Sequence, residues 1–199
     1  VYEEERETTV MLLIDVSGSR HFGAVGIEKR EMIAEIAATL AFSAIQNNDK
    51  IGVLFFSDKI EKFIPPKKGK KHILLIIREL LDFTPERSGT DISLALKYHT
   101  DALKKRCTTF LISDFIESKD FSMAMNIASN KHDLIAIQVF DKRDSELPDV
   151  GLMKVKDLET GKECWINTSS KSTRKAYSKW WYERQQILTE NLSRSKVDI

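Results

Sequence analysis

Thr8-Thr9-Val10-Met11-Leu12-Leu13-Ile14-Asp15-Val16-Ser17-Gly18-Ser19 is the stretch that decides the fold. From Thr8 to Asp15 it reads as a continuous apolar run between polar ends, without the alternation of a half-exposed strand, which predicts a strand buried on both faces of a sheet. The strand ends on Asp15, and a loop of small residues follows. Asp15, Ser17 and Ser19 stand at alternate positions, so a loop curling over the strand end brings three short oxygen-bearing side chains toward one point. These are hard ligands. Mg²⁺ takes near-octahedral oxygen coordination and keeps some of its waters, which suits two hydroxyls and one or two carboxylates.

Outward from this stretch, helical and strand patterns alternate, as in a mostly parallel sheet with crossover helices. Ile33, Ile36, Ala37, Leu40, Ala41 and Ala44 recur at helical spacing and end near Asn47-Asn48-Asp49. Lys50 to Phe56 reads as a second buried strand, and Ile60 to Ile64 as a short one stopped by Pro65-Pro66. A helix is expected over Lys70 to Leu81, and Gly89-Thr90-Asp91 opens another through Leu94, Ala95 and Tyr98. Cys107 to Ser113 and Leu134 to Phe140 are further central strands, separated by a helix around Met123 to Ala128. After Pro148, Leu152 to Leu158 and Glu163 to Ile166 flank Glu159-Thr160-Gly161 as a hairpin. Ser169 or Ser170 caps a long last helix whose stripe of Tyr177, Trp180 or Trp181, Ile187, Leu188 and Leu192 packs on the sheet. Lys196-Val197-Asp198-Ile199 reads as the opening of one more strand.

The fold class is therefore α/β: a doubly wound, mostly parallel sheet with helices on both faces, and a C-terminal hairpin and helix added to it. In such sheets ligands bind beyond the carboxyl ends of the strands, at the point where the winding reverses. Two other element ends supply matching oxygens, Thr90 in Ser88-Gly89-Thr90-Asp91 and Asp114 in Ile112-Ser113-Asp114-Phe115. If the strand before Asp114 lies beside the strand before Asp15, all of these groups face one crevice.

Composition narrows the function classes. With 31 Lys and Arg against 30 Asp and Glu, the molecule has no net field to draw in nucleic acid or an anionic membrane. No window has the apolar length of a membrane helix, and no leader-like segment opens the chain. At 199 residues a single domain spanning 1–199 is expected, and because it starts on Val1 rather than Met, a fragment of a longer chain. Cys107 and Cys164 have no partner at metal-ligand or disulfide-framework spacing, which suits a reducing compartment. His21, His72, His99 and His132 are scattered, with surface or capping roles expected, and Cys107 is read as a core strand residue. The cluster Lys67, Lys68, Lys70, Lys71, His72 is read as a solvated loop.

Taken alone, Asp-Val-Ser-Gly-Ser is a turn and helix cap. Its occurrence together with Thr90 and Asp114 at suitable element ends favours a metal-site scaffold instead. Gly18, Gly23 and Gly26 do not make a phosphate loop, because no Gly-Lys-Ser/Thr follows. A strand-end Asp also serves as nucleophile in Mg²⁺-dependent phosphotransferases, but a second acid is usual two residues on, and Ser17 stands there.

The set Asp15, Ser17, Ser19, Thr90 and Asp114 resembles the metal-ion-dependent adhesion site (MIDAS) of von Willebrand factor A domains. Glu4-Glu5-Arg6-Glu7, Pro65-Pro66-Lys67, Gly89-Thr90-Asp91, Ser113-Asp114-Phe115, His132-Asp133 and Leu147-Pro148-Asp149-Val150-Gly151-Leu152 further resemble bacterial domain-of-unknown-function family number fifty-eight. That family is similar to von Willebrand A proteins and commonly associated with MoxR-type AAA+ ATPases. The resemblance implies a cytoplasmic domain, tethered in some members by upstream membrane helices, that works with such an ATPase or its client. It implies metal binding by Ser17, Ser19 and Thr90 through hydroxyls and by Asp15 and Asp114 directly or through water, with a partner's carboxylate filling an open position. Arg20 departs from the pattern, since many members carry Met there, and its charge opposes a cation.

The expected function is a Mg²⁺- or Mn²⁺-dependent protein-interaction module and not an enzyme. The alternatives are a Mg²⁺-dependent phosphoryl-transfer or hydrolytic enzyme using Asp15, and a scaffold whose metal site is vestigial. Neither the identity of the partner nor the oligomeric state follows from the sequence.

Overall fold

The computed structural model describes residues 8–17, 23–87, 89–117, 119–156 and 163–199. Thirteen elements follow in chain order: β1 Thr9–Asp15, α1 Gly23–Gln46, β2 Lys50–Phe56, β3 Ile60–Lys67, α2 Lys70–Asp82, α3 Ile92–Ala102, β4 Thr108–Ser113, α4 Ser122–Lys131, β5 Asp133–Gln138, α5 Lys142–Ser145, β6 Leu152–Lys156, β7 Glu163–Asn167 and α6 Lys171–Arg194. Five strands make the main sheet in the order β3-β2-β1-β4-β5, and β6 and β7 form a separate antiparallel hairpin. Only β3 runs against its neighbour in the main sheet. This is the mostly parallel, doubly wound sheet expected from the alternating patterns, with the C-terminal hairpin and helix attached.

The apolar run of β1 is buried on both faces because each face has its own layer of helices. Met11 and Leu13 point into a core with α3, α4 and α6, which contribute Leu96, Met125 and Leu188. Leu12 and Ile14 point into a second core with α1 and α2, which contribute Ala37, Ala41, Ile73 and Ile76. Alternate residues of one strand thus enter opposite cores, as the two-residue period requires. Four buried alanines on α1, Ala34, Ala37, Ala41 and Ala44, recur at helical spacing and bring this helix close to the sheet.

β3 departs from expectation by continuing through Pro65 and Pro66 to Lys67. It is an edge strand, where a residue without an N–H is tolerated on the outward side. The pairing shifts register between Ile51 and Val53, and the extra residue on β3 is taken up at the prolines. Gly52 makes this possible: a Cβ there would lie 2.8 Å from Pro66 N, 2.8 Å from Ile64 O and 2.6 Å from Met11 Sδ.

Most other boundaries differ from the sequence reading by a few residues. α4 is longer, reaching Lys131, β5 stops at Gln138, and the short α5 was not legible. Ser170, rather than Ser169, caps α6 by accepting from Thr173 N. The hairpin tip at Glu159-Thr160-Gly161 lies outside the described residues. Trp181 is buried at 7% exposure against Phe140, whereas its neighbour Trp180 is 43% exposed. Leu188 and Leu192 join the core that α6 shares with α3 and α4, but Ile187 is exposed, which narrows the expected stripe. The 196–199 segment returns to the sheet, where Ala136 N donates to Asp198 O in a parallel bridge.

The histidines correct the sequence reading most sharply. His99 and His132 are fully buried rather than at the surface, although the His132 backbone N–H does cap α4 on Ala128 O. His72 is half-buried with Nε2 at 2.9 Å from Ile51 O, and His21 lies outside the described residues. Lys67, Lys70 and Lys71 are exposed, as expected of a solvated loop and helix start.

Candidate metal centre at the carboxyl end of the sheet

The winding reverses between β1 and β4, which are parallel neighbours with Ile14 opposite Ile112. Asp15 and Asp114 therefore leave the sheet at the same rim, as the crevice argument requires. Asp15 is 7% exposed, and both of its carboxylate oxygens accept hydrogen bonds. Oδ1 accepts from Ser17 N at 2.9 Å, and Oδ2 from Ser113 Oγ at 2.6 Å. Each oxygen keeps a lone pair free of these bonds.

Ser17 Oγ lies 2.5 Å from Thr90 Oγ1, so the loop after β1 meets the loop before α3 through two hydroxyls. Adjacent oxygens around an octahedral Mg²⁺ are about 2.9 Å apart, so this pair needs to open by only a few tenths of an ångström to span one edge. Thr90 is placed by a chain of local bonds. Asp91 Oδ1 accepts from Leu94 N and caps α3, while Asp91 N donates to Ser57 O at the end of β2. Glu61 Oε1 accepts from Glu86 N and Arg87 N, fastening the segment ahead of Thr90 to the start of β3.

Asp114 follows β4, with Oδ1 accepting from Ile116 N at 2.9 Å in a local turn. The next residue, Phe115, holds φ at 56°, a left-handed conformation uncommon for an aromatic residue. Two interactions hold it there. Phe115 N donates to Ser113 Oγ at 3.0 Å, and Arg184 Nη2 of α6 donates to Phe115 O at 3.3 Å and to Glu117 O at 2.6 Å.

Among the described residues the rim is a cluster of acids approached by Lys29 and, beside Asp91, by Lys119. Burial raises the Asp15 carboxyl above its ordinary value, against the lowering effect of its Ser113 and Ser17 hydrogen bonds. Asp114 is pushed up to about 6, first by burial and then by the Asp15 charge. Glu117, whose Oε2 accepts from Ile92 N at 3.0 Å, is pushed up to about 7, mainly by burial. Lys29 on α1 approaches Asp114 Oδ2 at 3.9 Å but pairs more closely with Asp144 Oδ2 at 2.6 Å. Partly desolvated carboxyls that raise one another's pKa are what a hard cation relieves, so the oxygen-only donor set fits Mg²⁺ or Mn²⁺.

Of the five site residues read from the sequence, Asp15, Ser17, Thr90 and Asp114 come together at this rim. Ser19 lies outside the described residues, as does Arg20. Ser113, Lys29, Asp144 and Glu117 were not singled out beforehand. Ser113 offered a faint signal, a hydroxyl closing an otherwise apolar strand, whereas the other three become neighbours of the site only through the packing of distant helices and loops.

Known proteins resemble this chain in sequence and in fold. An uncharacterized protein of Mycobacterium tuberculosis is 28% identical over 159 residues, which cover 79% of this chain and 50% of that protein. The chain thus spans about half the length of the curated relatives it matches. Among solved structures, the conserved hypothetical protein BatB from Bacteroides thetaiotaomicron superposes with a TM-score of 0.56 at 15% identity, covering 95% of this chain and 98% of that one. An aerotolerance-related membrane protein from Bacteroides fragilis gives 0.53 at 16% identity, covering 86% and 87%. Proximal thread matrix protein 1 from the mussel byssus, in a structure with a zinc-occupied MIDAS motif, gives 0.53 at 19% identity over 66% of this chain and 38% of that one. These likenesses establish a von Willebrand A-like fold. With a family model matching residues 1–187, the chain belongs to the DUF58 family, described as proteins of unknown function.

Proposed function

We propose that this chain is a protein-interaction module that binds an acidic side chain of its partner through a Mg²⁺ or Mn²⁺ ion at the Asp15 rim. The observation that carries the reading is the meeting of Asp15, Ser17, Thr90 and Asp114 from three separate segments at the carboxyl ends of adjacent strands. Ser17 and Thr90 would hold the ion through hydroxyls, and Asp15 and Asp114 directly or through water, with Ser19 completing the set. When bound, the ion supplies a concentrated positive charge for a partner carboxylate at the interface centre. The chain's own residues shape that contact: Ser113 orients Asp15, and Arg184 holds the Asp114 loop.

A binding role, rather than an enzymatic one, is supported by the second position after Asp15, where a Ser replaces the acid that a phosphotransferase would use as its proton carrier. A MoxR-type AAA+ ATPase or its client as partner, in a cytoplasmic setting, is what the sequence resemblance implies. Among the described residues no helix is long and apolar enough to cross a membrane.

The test is partner capture by the intact chain and its Asp15→Ala form, with Mg²⁺ and with EDTA, using a co-expressed MoxR-type ATPase. Capture lost on chelation and in the variant is the expected result. Capture unaffected by both would overturn the reading, and a phosphatase activity abolished by Asp15→Asn would replace it with the enzymatic one.

A further inference from the structure

At the end of β4 opposite Asp114, three side chains of metal-ligating type meet inside the core. His99 comes from the last turn of α3, Cys107 immediately precedes β4, and His132 is the C-cap of α4. Cys107 Sγ lies 3.2 Å from His132 Nδ1 and 3.9 Å from His99 Nε2, and one donor atom from each residue falls within 4.8 Å of the others. Thr109 Oγ1 joins them, 2.9 Å from His99 Nε2 and 3.5 Å from Cys107 Sγ. Both imidazoles and Thr109 are fully buried, and Cys107 nearly so.

Four polar side chains sit among Leu111, Leu134 and Ala128 of the apolar core, and the two ring nitrogens outside the donor set, His99 Nδ1 and His132 Nε2, are buried with no hydrogen-bond partner. As a cation site it is well proportioned. In tetrahedral zinc coordination, with Zn–S of about 2.3 Å and Zn–N of about 2.0–2.1 Å, neighbouring S and N donors stand about 3.6 Å apart, and the two measured S to N separations lie on either side of that value. The imidazoles suit as they stand: burial, then the neighbouring His132 and Lys131, lowers His99 to about 3, and burial first lowers His132 as well, so both rings are neutral with a lone pair available. Burial raises the Cys107 thiol, so the cation itself has to displace its proton.

We propose that His99 Nε2, Cys107 Sγ and His132 Nδ1 form a second, soft-donor site that binds a zinc-class divalent cation, with the Thr109 hydroxyl at the fourth corner. Binding replaces the S–H bond of Cys107 with a metal–sulfur bond and releases one proton to solvent. The histidines bind in their neutral form and no electron moves. The site stands at the opposite end of β4 from the Asp15 rim, and its nitrogen and sulfur donors select a different ion from the oxygen set there. It is independent of the proposed interaction function.

The experiment is a titration of the metal-free intact chain with Co²⁺ in saturating Mg²⁺, which occupies the oxygen-lined rim. The expected result is a thiolate-to-cobalt charge-transfer absorption that saturates at one equivalent, is abolished by Zn²⁺, and is accompanied by a Zn²⁺-dependent rise in the thermal midpoint. The band should persist in Asp15→Ala and in Cys164→Ser, which removes the exposed cysteine, and disappear in Cys107→Ser. Should Cys107→Ser not fold, His99→Gln serves as the second ligand deletion, with a weakened or shifted band expected. Absence of the band and of the thermal shift in the unaltered chain would overturn the proposal, as would a band lost with Cys164 instead of Cys107.

Discussion

The Ser113 hydroxyl donates to Asp15 Oδ2 at 2.6 Å, a bond running from the last residue of β4 to the last residue of β1. It joins the two strands at the point where the winding reverses. Because both residues are buried, it fixes the Asp15 carboxylate in one orientation and leaves its remaining lone pairs toward the rim. Replacing Ser113 with Ala removes that bond and the one to Phe115 N. The expected loss is about 1–3 kcal/mol of stability in urea unfolding. A roughly 10-fold weaker affinity for Mg²⁺ is also expected, as when an outer partner of a ligand is removed. Unchanged affinity by calorimetry would show that Ser113 does not orient Asp15.

Cation binding at the rim depends on ionised carboxyls, and Asp114 titrates at about 6. Mg²⁺ affinity should therefore climb as pH rises through about 6 and level off above it, in calorimetric titrations between pH 5 and 8. Affinity that is flat over this interval would mean that Asp114 does not take part.

Glu117 links stability to pH. Its folded pKa of about 7 is above the ordinary 4.5, so the folded state retains a proton over that interval that the unfolded chain has lost. Its contribution is favourable at the acid end and is lost as pH rises through about 7. Glu117→Gln removes this titration. The variant's thermal midpoint, relative to the unaltered chain, should rise from pH 5 to about 7 and level off above it, and a constant difference would contradict the assignment.

Arg184 reaches from α6 to two carbonyls of the loop after Asp114 and also lies over the Trp180 ring at 5.7 Å. Arg184→Met keeps much of the apolar stem but removes the donors. Faster amide exchange over residues 114–117 is expected, with weaker Mg²⁺ binding and little change in the exchange of β1. Equal protection in the two proteins would show that the loop is held by other means.

Gly52 is the point where β3 passes close to β2 and β1. Gly52→Ala places a methyl group within 2.8 Å of Ile64 O and Pro66 N, both backbone atoms. A cost of about 1–3 kcal/mol is expected from overpacking, measured by chemical denaturation. A neutral substitution would mean that the edge strand shifts freely.

The order of strands and helices was legible because each apolar run is short, bounded by polar residues and set between helical periods. The limits of that reading appear at β3, where Pro65-Pro66 looks like a stop. Local rules say that proline ends a ladder, and only knowledge that this strand lies at an edge, opposite a glycine, shows why it continues. At the rim, Asp15 and Ser17 were legible as strand-end oxygens, and Thr90 and Asp114 as candidates for the same crevice. Lys29, Asp144 and Glu117 were not, since nothing in their local sequence distinguishes them from other surface charges.

What the sequence determined unaided is therefore the set of elements and the donors that lie next to a strand end, because hydrophobic period and chain proximity are properties of neighbouring residues. Which strands become neighbours was decided by the tertiary structure alone. The placement of β4 beside β1 brings Asp114 to Asp15, and the convergence of α3 and α4 on the start of β4 gathers His99, Cys107 and His132 from positions whose spacing follows no local period. Contacts of that kind depend on how whole elements pack, and packing is a property of the folded chain.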